Sequence, residues 1–363
     1  MIEARGLAAR VGDFELRDVS FTVPGGAYGV VIGPAGSGKT TLLEAIAGIV
    51  APVAGTVLIG GRDVSLAAPE QRGIGFVYQH GYLFPHLSVE ENIAYGARTT
   101  ESAREAAHRF GADALFGRGV RALSGGERQI VAIARAVAAE PIVLLLDEPF
   151  GALDPRRRTA VRREVRALHR ATGITVLQVT HDFTEAGLLG DVAILLDGGR
   201  VLQHGPPEYV FREPASPYIA EFLGAENVFA GEVHVLGAVA PDWEEGEGDS
   251  RAMPPGRRAI EFRTDALTIY AVGDAPEGAG YAVVRADEVL LSSAPPPDAT
   301  SARNRFAGVV SEVAVLGAVT RVTIDLGSTP LVAALTTRSA REMRLAPGSR
   351  VHATFKAMAV HLC

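Results

Sequence analysis

Residues 33–40 read GPAGSGKT and match the pattern G-x-x-x-x-G-K-[ST] in full. The apolar residues 28–32 before them are typical of a buried strand, and residues 41–47 after them are typical of a helix. Glycine lets the backbone turn so tightly that its N–H groups converge on phosphate oxygens, and the start of a helix adds positive potential. The segment therefore predicts a strand–loop–helix unit that binds a nucleoside triphosphate.

This loop also carries a cation and a metal ligand. Lys39 is placed to reach the β- and γ-phosphates, and the hydroxyl of Thr40 is placed to bind Mg²⁺. We therefore expect ATP and Mg²⁺ as cofactors. The residues of the loop predicted to contact the nucleotide are Gly33, Pro34, Ala35, Gly36, Ser37, Gly38, Lys39, Thr40 and Thr41.

Two further segments have the chemistry of a phosphate site. Residues 142–146 are typical of a strand buried on both faces, and Asp147 and Glu148 follow it directly. We expect Asp147 to hold Mg²⁺ through water and Glu148 to act as general base for the water that attacks the γ-phosphate. Residues 123–127 read LSGGE and precede a helical pattern. The residues expected to form this second anion site, at a helix start, are Ser124, Gly125 and Gly126.

With these motifs, residues 1–224 resemble the ATP-binding-cassette (ABC) ATPases, which are α/β P-loop NTPases with a helical subdomain, expected here at about residues 80–137. Residues 76–79, 151–154 and 179–182 resemble the glutamine loop, the D-loop and the switch-histidine loop of that family. The resemblance implies that Gln79 contacts Mg²⁺ and the attacking water, and that His181 grips the γ-phosphate. Phe14 is the candidate for the aromatic residue that stacks on adenine, with a position in the core as the alternative.

The resemblance also implies partners. In this family each ATP lies between the phosphate loop of one protomer and the LSGGE of another, and this chain has one copy of each motif. A head-to-tail dimer of two copies is therefore expected. Residues 82–92 read YLFPHLSVEEN and resemble importer ATPases for sugars, polyamines and oxyanions, with a capping box predicted from Ser88 and Glu91. Two transmembrane permease subunits are implied as partners, and a substrate-binding protein indirectly.

After residue 224 the helical pattern gives way to short β-like runs, so we expect an all-β domain over residues 225–363. Residues 227–233 (NVFAGEV) are echoed by residues 304–310 (NRFAGVV), and each unit ends in a similar run, 284–291 and 355–362. We expect two small barrel-like repeats at about 225–292 and 300–363. A long loop is expected over residues 241–258.

The second repeat opens with SARN at residues 301–304 and resembles the small oxyanion-binding domains of molybdate importer ATPases. A tetrahedral oxyanion needs hydroxyl and amide donors and a cation. The candidate ligands are Ser301, Arg303 and Lys356. The first repeat has Gly224 and Glu226 at the positions of Ser301 and Arg303, so we expect it to be mainly structural. A dimerisation barrel that binds no ligand is the alternative for the whole region.

Composition restricts the partners and the compartment. The chain has 35 basic and 42 acidic residues, a net charge of −7, which argues against nucleic acid as the main partner. Cys363 is the only cysteine, so no disulfide forms within the chain. No segment approaches the ~20 apolar residues that span a bilayer, and the first residues lack the apolar core of a signal peptide. We expect a peripheral protein on the cytoplasmic face of the cell membrane.

These observations predict the ATPase subunit of an ABC importer for an oxyanion, molybdate or tungstate. Two alternatives stay open. The first is an importer ATPase for sulfate, iron, sugar or polyamine. The second, from another class, is a soluble ABC ATPase that acts as a switch and is not tied to a membrane.

Overall fold

A computed structural model describes residues 1–238, 258–297 and 300–363. By internal contacts these residues divide into two compact units, Met1–Val210 and Phe211–Cys363. The boundary predicted at residue 224 falls within the second unit, and its assignment stays a prediction. The long loop predicted over residues 241–258 lies outside the described residues, except for its last residue, Arg258, which begins a strand.

The first unit combines an antiparallel and a mostly parallel sheet. Its strands in the described chain are β1 (Ile2–Val11), β2 (Phe14–Val23), β3 (Tyr28–Ile32), β4 (Pro52–Ile59), β5 (Arg62–Asp63), β6 (Ile74–Val77), β7 (Val143–Asp147), β8 (Thr175–Val179), β9 (Val192–Asp197) and β10 (Arg200–Gly205). The antiparallel sheet has the order β2-β1-β4-β5, and the other has the order β10-β9-β3-β8-β7-β6. In the second sheet only β10 runs antiparallel to its neighbour.

Helices occur in both units. Those in the described residues are α1 (Lys39–Ala47), α2 (Val89–Ala94), α3 (Thr100–Phe110), α4 (Gly125–Ala138), α5 (Pro155–Thr172), α6 (Phe183–Leu189), α7 (Pro207–Arg212), α8 (Pro217–Phe222) and α9 (Thr337–Glu342). The predicted capping box at the start of α2 is confirmed, because Glu91 N donates to Ser88 Oγ (3.1 Å) and Ser88 N donates to Glu91 Oε2 (2.7 Å). Among the helices described here, none is long and apolar enough to cross a membrane.

The parallel strands fix the positions of the segments that follow their carboxyl ends. All residues of β3, β7 and β8 are buried, as expected for strands covered on both faces. The register pairs Val77 with Leu146, and it pairs Val179 with both Asp147 and Val31. Because parallel strands end at the same edge of a sheet, the segments after β3, β6, β7 and β8 emerge side by side.

Helix α1 is held at both ends by features that fix its direction. It begins after Gly38, whose φ of 101° favours glycine, and it ends at Gly48, whose φ is 81°. The buried guanidinium of Arg72 donates to the carbonyls of Ala45 (3.2 Å) and Ile46 (2.7 Å) in the last turn. A cation at a helix C-terminus satisfies free carbonyls and complements the helix dipole. The sequence analysis did not identify this contact.

The second unit contains two antiparallel sheets of five strands in its described part. The strands are β11 (Asn227–Ala238), β12 (Arg258–Arg263), β13 (Thr268–Gly273), β14 (Gly278–Val284), β15 (Leu290–Ser292), β16 (Asn304–Leu316), β17 (Val319–Asp325), β18 (Pro330–Thr336), β19 (Arg350–Phe355) and β20 (Val360–Leu362). The sheets have the orders β13-β12-β11-β14-β20 and β15-β19-β16-β17-β18. The order of β11–β14 is repeated by β16–β19, which confirms the internal repeat.

The two repeats exchange their last strands. β15 follows β14 in the chain but pairs with β19, and β20 follows β19 but pairs with β14. The runs 284–291 and 355–362, expected to be single closing strands, are each broken by a 3₁₀ turn, at Ala286–Glu288 and Ala357–Ala359. That expectation was wrong because Glu288 N bonds to Arg285 O and Ala359 N bonds to Lys356 O, and such i→i+3 bonds take the backbone out of the extended conformation. Apolar residues of both sheets pack in one core.

A buried asparagine at the start of each repeat ties that repeat to the other one. The side chain of Asn304 in β16 accepts from Tyr270 N (2.7 Å) and donates to Tyr270 O (2.9 Å) in β13. Asn227 in β11 makes the same pair of bonds with Val332 in β18, at 2.7 and 2.9 Å. Both asparagines are only 1% exposed. The amide group replaces one rung of a β ladder and closes each barrel edge against its neighbour.

Replacing Asn304 with leucine is expected to loosen this edge, because the N–H and C=O of Tyr270 both lose their partner. Leaving buried polar groups unpaired costs about 1–3 kcal/mol each. The measurement is hydrogen exchange of the peptides that cover β13, with Glu312→Leu at an exposed position of β16 as the control. Faster exchange is expected for Asn304→Leu alone. Equal protection in both variants would contradict the assigned role.

Candidate functional site

The loop after β3 is shaped by glycines that no other residue can replace without rearrangement. A Cβ on Gly33 would lie 2.0 Å from the carbonyl oxygen of Leu196, and one on Gly38 would lie 2.4 Å from the ring of Phe14. Gly36 has a φ of 79°. The strand and the helix predicted on either side are confirmed as β3 and α1. The backbone N–H groups therefore line a tight turn at a helix start, as a phosphate cradle requires.

The ammonium group of Lys39 folds back over this loop. Its Nζ donates to the carbonyls of Gly33 (2.9 Å) and Pro34 (2.7 Å), and it lies 3.5 Å from Ser37 Oγ. Burial lowers the pKa of Lys39 from its ordinary value, while nearby carboxylates, including Glu148, act in the opposite direction. A desolvated cation held at the loop is suited to bind phosphate oxygens.

Thr40 and Asp147 are brought together across the sheet edge. Thr40 Oγ1 donates to Asp147 Oδ2 at 2.8 Å. Asp147 is 4% exposed, and burial raises its pKa, although the bond from Thr40 opposes part of that rise. A hydroxyl beside a buried carboxylate is the oxygen donor set that suits Mg²⁺. The chemistry of these two residues therefore fits the expected metal.

Two of the three residues predicted to be catalytic, Gln79 and His181, contact a carboxylate oxygen of the third, Glu148. Glu148 Oε2 lies 3.1 Å from His181 Nδ1 and accepts a hydrogen bond from Gln79 Nε2 at 3.3 Å. These residues follow β7, β8 and β6, whose carboxyl ends lie side by side. The parallel register thus produces the convergence.

The backbone of Glu148 is strained. Its φ is 43°, a region that side-chain-bearing residues rarely occupy and that costs about 1–3 kcal/mol. Two backbone bonds hold it, one from Glu148 N to Val179 O (3.0 Å) and one from Gly151 N to Glu148 O (3.2 Å). Asp18, Glu140 and Arg344 also have a positive φ, so the strain supports a functional role for Glu148 only together with its contacts to Gln79 and His181.

Phe14 lies against the phosphate loop. Its ring atoms are the nearest neighbours of Gly38 in the direction of a side chain, and the residue also packs on the main core cluster of the first unit. The ring is partly buried. Both expected roles, stacking on adenine and filling the core, are compatible with this position, and the stacking role stays a prediction.

Ser124 caps α4 in a complete capping box. Glu127 N donates to Ser124 Oγ (3.3 Å), and Ser124 N donates to Glu127 Oε2 (2.8 Å). The bond from Ser124 N, followed by that from the Ser124 hydroxyl, lowers the pKa of Glu127 to about 2. These bonds lie within the first turn of α4 rather than at the phosphate loop. The turn is therefore preformed at a helix start of its own.

The oxyanion candidates lie at the end of the β16–β19 ladder. Asn304 pairs with Phe355, so Arg303 and Lys356 lie opposite each other just beyond that pair. Arg303, Lys356 and Ser301 are all exposed. The fourth residue of SARN, Asn304, is buried in the bonds to Tyr270, so its role is structural.

The charged side chains at the matching positions of the first repeat already have ion-pair partners. Glu226, which corresponds to Arg303, forms an ion pair with Arg321 (2.9 Å), and Arg285, which corresponds to Lys356, pairs with Asp287 (3.0 Å). Glu226, Arg285 and Arg321 line a cavity of about 970 Å³ within the second unit. The local ion pairs agree with the expectation that the first repeat is mainly structural.

The sequence analysis did not identify a series of hydrogen-bonded buried polar side chains behind the site. Gln178 in β8 and Glu185 in α6 are 0% and 4% exposed. The signal was present in the sequence, because a glutamine in the buried strand TVLQV breaks the apolar pattern.

Comparisons with known proteins agree with this geometry. The family model described as ABC transporter matches residues 16–151, and the TOBE domain model matches residues 300–362. The molybdate/tungstate import ATP-binding protein WtpC of Pyrococcus horikoshii is 36% identical over 370 residues, which cover 100% of this chain and 99% of that protein. The sulfate/thiosulfate import ATP-binding protein CysA 1 of Chromobacterium violaceum is 44% identical over 252 residues, 66% of this chain and 70% of that protein.

A solved structure extends the comparison to the fold. The ATP-binding cassette MJ0796, described as a dimer in a post-hydrolysis state bound to ADP and Pi, has a TM-score of 0.53 and 28% identity. The match covers 57% of this chain and 99% of that cassette. The predicted α/β P-loop fold with an all-β C-terminal part is confirmed. Since relatives match from end to end and the cassette motifs are intact, the chain belongs to the ATP-binding proteins of the ABC transporter family.

Proposed function

We propose that this chain is the ATP-hydrolysing subunit of an ABC importer that takes up molybdate or tungstate. The observation that carries the ATPase assignment is the convergence of Gln79 and His181 on Glu148 Oε2, at 3.3 and 3.1 Å. The substrate assignment is supported by the full-length likeness to a protein named for molybdate and tungstate import. The likeness to the sulfate/thiosulfate importer protein covers a smaller share of the chain.

Each residue of the site has a distinct task in hydrolysis. Glu148 takes a proton from the attacking water, Gln79 contacts that water, and His181 grips the γ-phosphate. Lys39 and the amides of the phosphate loop stabilise charge on the phosphate oxygens. Thr40, Asp147 and Gln79 would hold Mg²⁺, which neutralises charge on the β- and γ-phosphates when bound.

The site is completed by a second copy of the chain. Ser124, Gly125 and Gly126 form a turn at the start of α4 whose shape is held by the bonds between Ser124 and Glu127. In the proposed head-to-tail dimer this turn faces the γ-phosphate held by the loop of the partner subunit. Two such sites then form by symmetry, since each chain has one loop and one turn.

A rigid aromatic surface supports docking to two permease subunits. Tyr82 and Tyr95 are 62% and 58% exposed, and the rings of Phe84 and Tyr95 lie 4.4 Å apart. Arg135 stacks over Phe84 and donates to Tyr82 O at 2.6 Å, and buried Asn92 bonds to both backbone groups of Phe84. A fixed aromatic surface of this kind suits docking of a short permease helix, and we propose that the chain acts on the cytoplasmic face of the membrane.

Transport in reconstituted vesicles tests the assignment. Vesicles that contain the permease and this chain, with the substrate-binding protein outside, are expected to take up molybdate and tungstate when ATP is inside. Sulfate and spermidine serve as competing substrates. Uptake of either competitor in place of the two oxyanions would reassign the importer.

Glu148→Gln is expected to bind ATP normally and to lose uptake and hydrolysis, because the amide has the shape of the acid but cannot accept the proton of water. An ATP-bound dimer is expected to accumulate, which size-exclusion chromatography with ATP and Mg²⁺ detects. Lys39→Ala, the comparison variant, is expected to lose ATP affinity itself. A Glu148→Gln protein that binds ATP tightly but stays monomeric would argue against the proposed dimer.

A second proposed property is regulation by the transported anion. Arg303 and Lys356 each lie one residue beyond the last pair of the β16–β19 ladder, so two exposed positive charges stand at this end of the second repeat, and exposed Ser301 lies two residues before Arg303 in the chain. An oxyanion bound there more tightly when the ATPase units are apart would oppose their closure and slow hydrolysis. A coupling of about 1–3 kcal/mol changes the rate several-fold.

Lys356→Ala is therefore expected to reduce the inhibition of ATP hydrolysis by molybdate and tungstate, because the pocket loses a cation. The measurement is the ratio of the hydrolysis rates with and without oxyanion in reconstituted transporter. The matched control is Arg350→Ala, an exposed cation at the start of β19, the strand that Lys356 directly follows. A wild-type rate that is indifferent to both anions would leave dimerisation as the role of the second repeat.

A further inference from the structure

The loop that presents His181 is anchored on both sides while the histidine itself is free of the core. The side chain of His181 is 72% exposed and contacts Glu148. Before it, Thr180 N donates to Val31 O (3.1 Å), and after it Asp182 begins α6 as the N-cap. The position of the imidazole therefore depends on how firmly Thr180 and Asp182 are held.

The hydroxyl of Thr180 connects these two anchors. Thr180 Oγ1 donates to Glu185 Oε2 at 2.8 Å, and Thr180 Oγ1 also accepts from Asp182 N at 3.0 Å. Thr180 is 3% exposed. One hydroxyl thus bonds to the residue that follows His181 and to a carboxylate in the first turn of α6.

The carboxylate of Glu185 is held in turn by a chain of buried groups. Its Oε2 also accepts from Gln178 Nε2 at 2.7 Å, and Gln178 Oε1 accepts from the hydroxyl of Tyr28 at 2.5 Å. Tyr28 lies at the start of β3, the strand that leads into the phosphate loop. The chain of bonds therefore joins the switch-histidine loop to the phosphate-loop strand through the middle of the sheet.

Burying the side chains of Gln178 and Glu185 costs free energy of folding, which is understandable if they hold the loop of His181 in position. Burying an amide and a carboxylate carries a desolvation cost that well-packed apolar side chains avoid. Burial raises the pKa of Glu185, and the Thr180 bond counteracts it. The other charged groups that act on Glu185 are Asp182, Arg162 and Arg158. This series of hydrogen bonds ends at Thr180 and Asp182, the two neighbours of His181, and not at a solvent-facing surface.

We propose that Thr180 and Glu185 are positioning residues for ATP hydrolysis, which hold the backbone on both sides of His181 so that its imidazole meets Glu148 and the γ-phosphate. The proposal rests on the ATPase function proposed above. It assigns to Gln178 and Tyr28 the task of fixing Glu185. A loop that has lost the Thr180 hydroxyl would present His181 in a broader range of positions.

A pair of substitutions at Thr180 tests this. Thr180→Val keeps the shape but removes the hydroxyl, and Thr180→Ser keeps the hydroxyl. Thr180→Val is expected to lower kcat by up to about 10²-fold, the loss typical of a misplaced catalytic group, while KM for ATP changes little. Thr180→Ser is expected to restore kcat. Thr184→Val, at an exposed position of α6, is the control.

A double-mutant cycle with His181→Ala separates positioning from general stability. If Thr180 acts through His181, Thr180→Val is expected to cause no further loss of residual hydrolysis, measured as release of labelled phosphate, in the His181→Ala background. An equal loss in both backgrounds, or a Thr180→Ser enzyme as slow as Thr180→Val, would overturn the proposal. If Thr180→Val does not fold, Glu185→Gln, which keeps an acceptor oxygen, and Glu185→Ala replace the pair with the same expectations.

The wild-type rate distinguishes this proposal from the function on which it rests. A wild-type protein that does not hydrolyse ATP would refute the proposed function. An active wild type whose Thr180→Val variant keeps full kcat would refute only the positioning role.

Discussion

The parallel register of β6, β7, β8 and β3 is the constraint on which the site depends. It places Gln79, Glu148, His181 and the phosphate loop at one edge of one sheet, although they are far apart in the chain. No single contact among them is strong. A one-residue slip in any of these strands would turn a functional side chain to the opposite face. A slip in β8 would also separate Gln178 from Tyr28 and Glu185, and a slip in β7 would separate Asp147 from Thr40, so these paired polar side chains help to fix the register.

Polar groups in the interior mark the places where packing alone does not specify the structure. Gln178 and Glu185 brace the loop of His181, while Asn227 and Asn304 each complete the edge of the opposite repeat. Each of these side chains has its hydrogen bonds to protein groups. A buried polar group that is fully paired rigidifies its surroundings at the expense of desolvation, which suits elements that must hold one position.

The motifs of the first unit could be predicted from sequence because each is local. The phosphate loop and the caps at Ser88 and Ser124 follow from short patterns with fixed geometry. The exchange of β15 and β20 could not be predicted, since long-range pairing leaves no periodicity in either strand. For the same reason Asn304 was grouped with an anion-binding motif, although its partner Tyr270 lies in the other repeat. The strain at Glu148 is likewise invisible without coordinates.

The central claim is that two copies of the chain share each ATP site, and mixing two inactive variants tests it most directly. Lys39→Ala lacks the loop cation, and Ser124→Arg blocks the turn offered to the partner, so each alone is expected to be inactive. In mixed dimers the intact Lys39 and the intact Ser124 meet in one site. An equal mixture is expected to recover about a quarter of the wild-type rate, because half of the dimers are mixed and each has one of two sites intact. A mixture that forms dimers with ATP but stays inactive, or a Ser124→Arg protein that hydrolyses ATP normally by itself, would contradict the shared site.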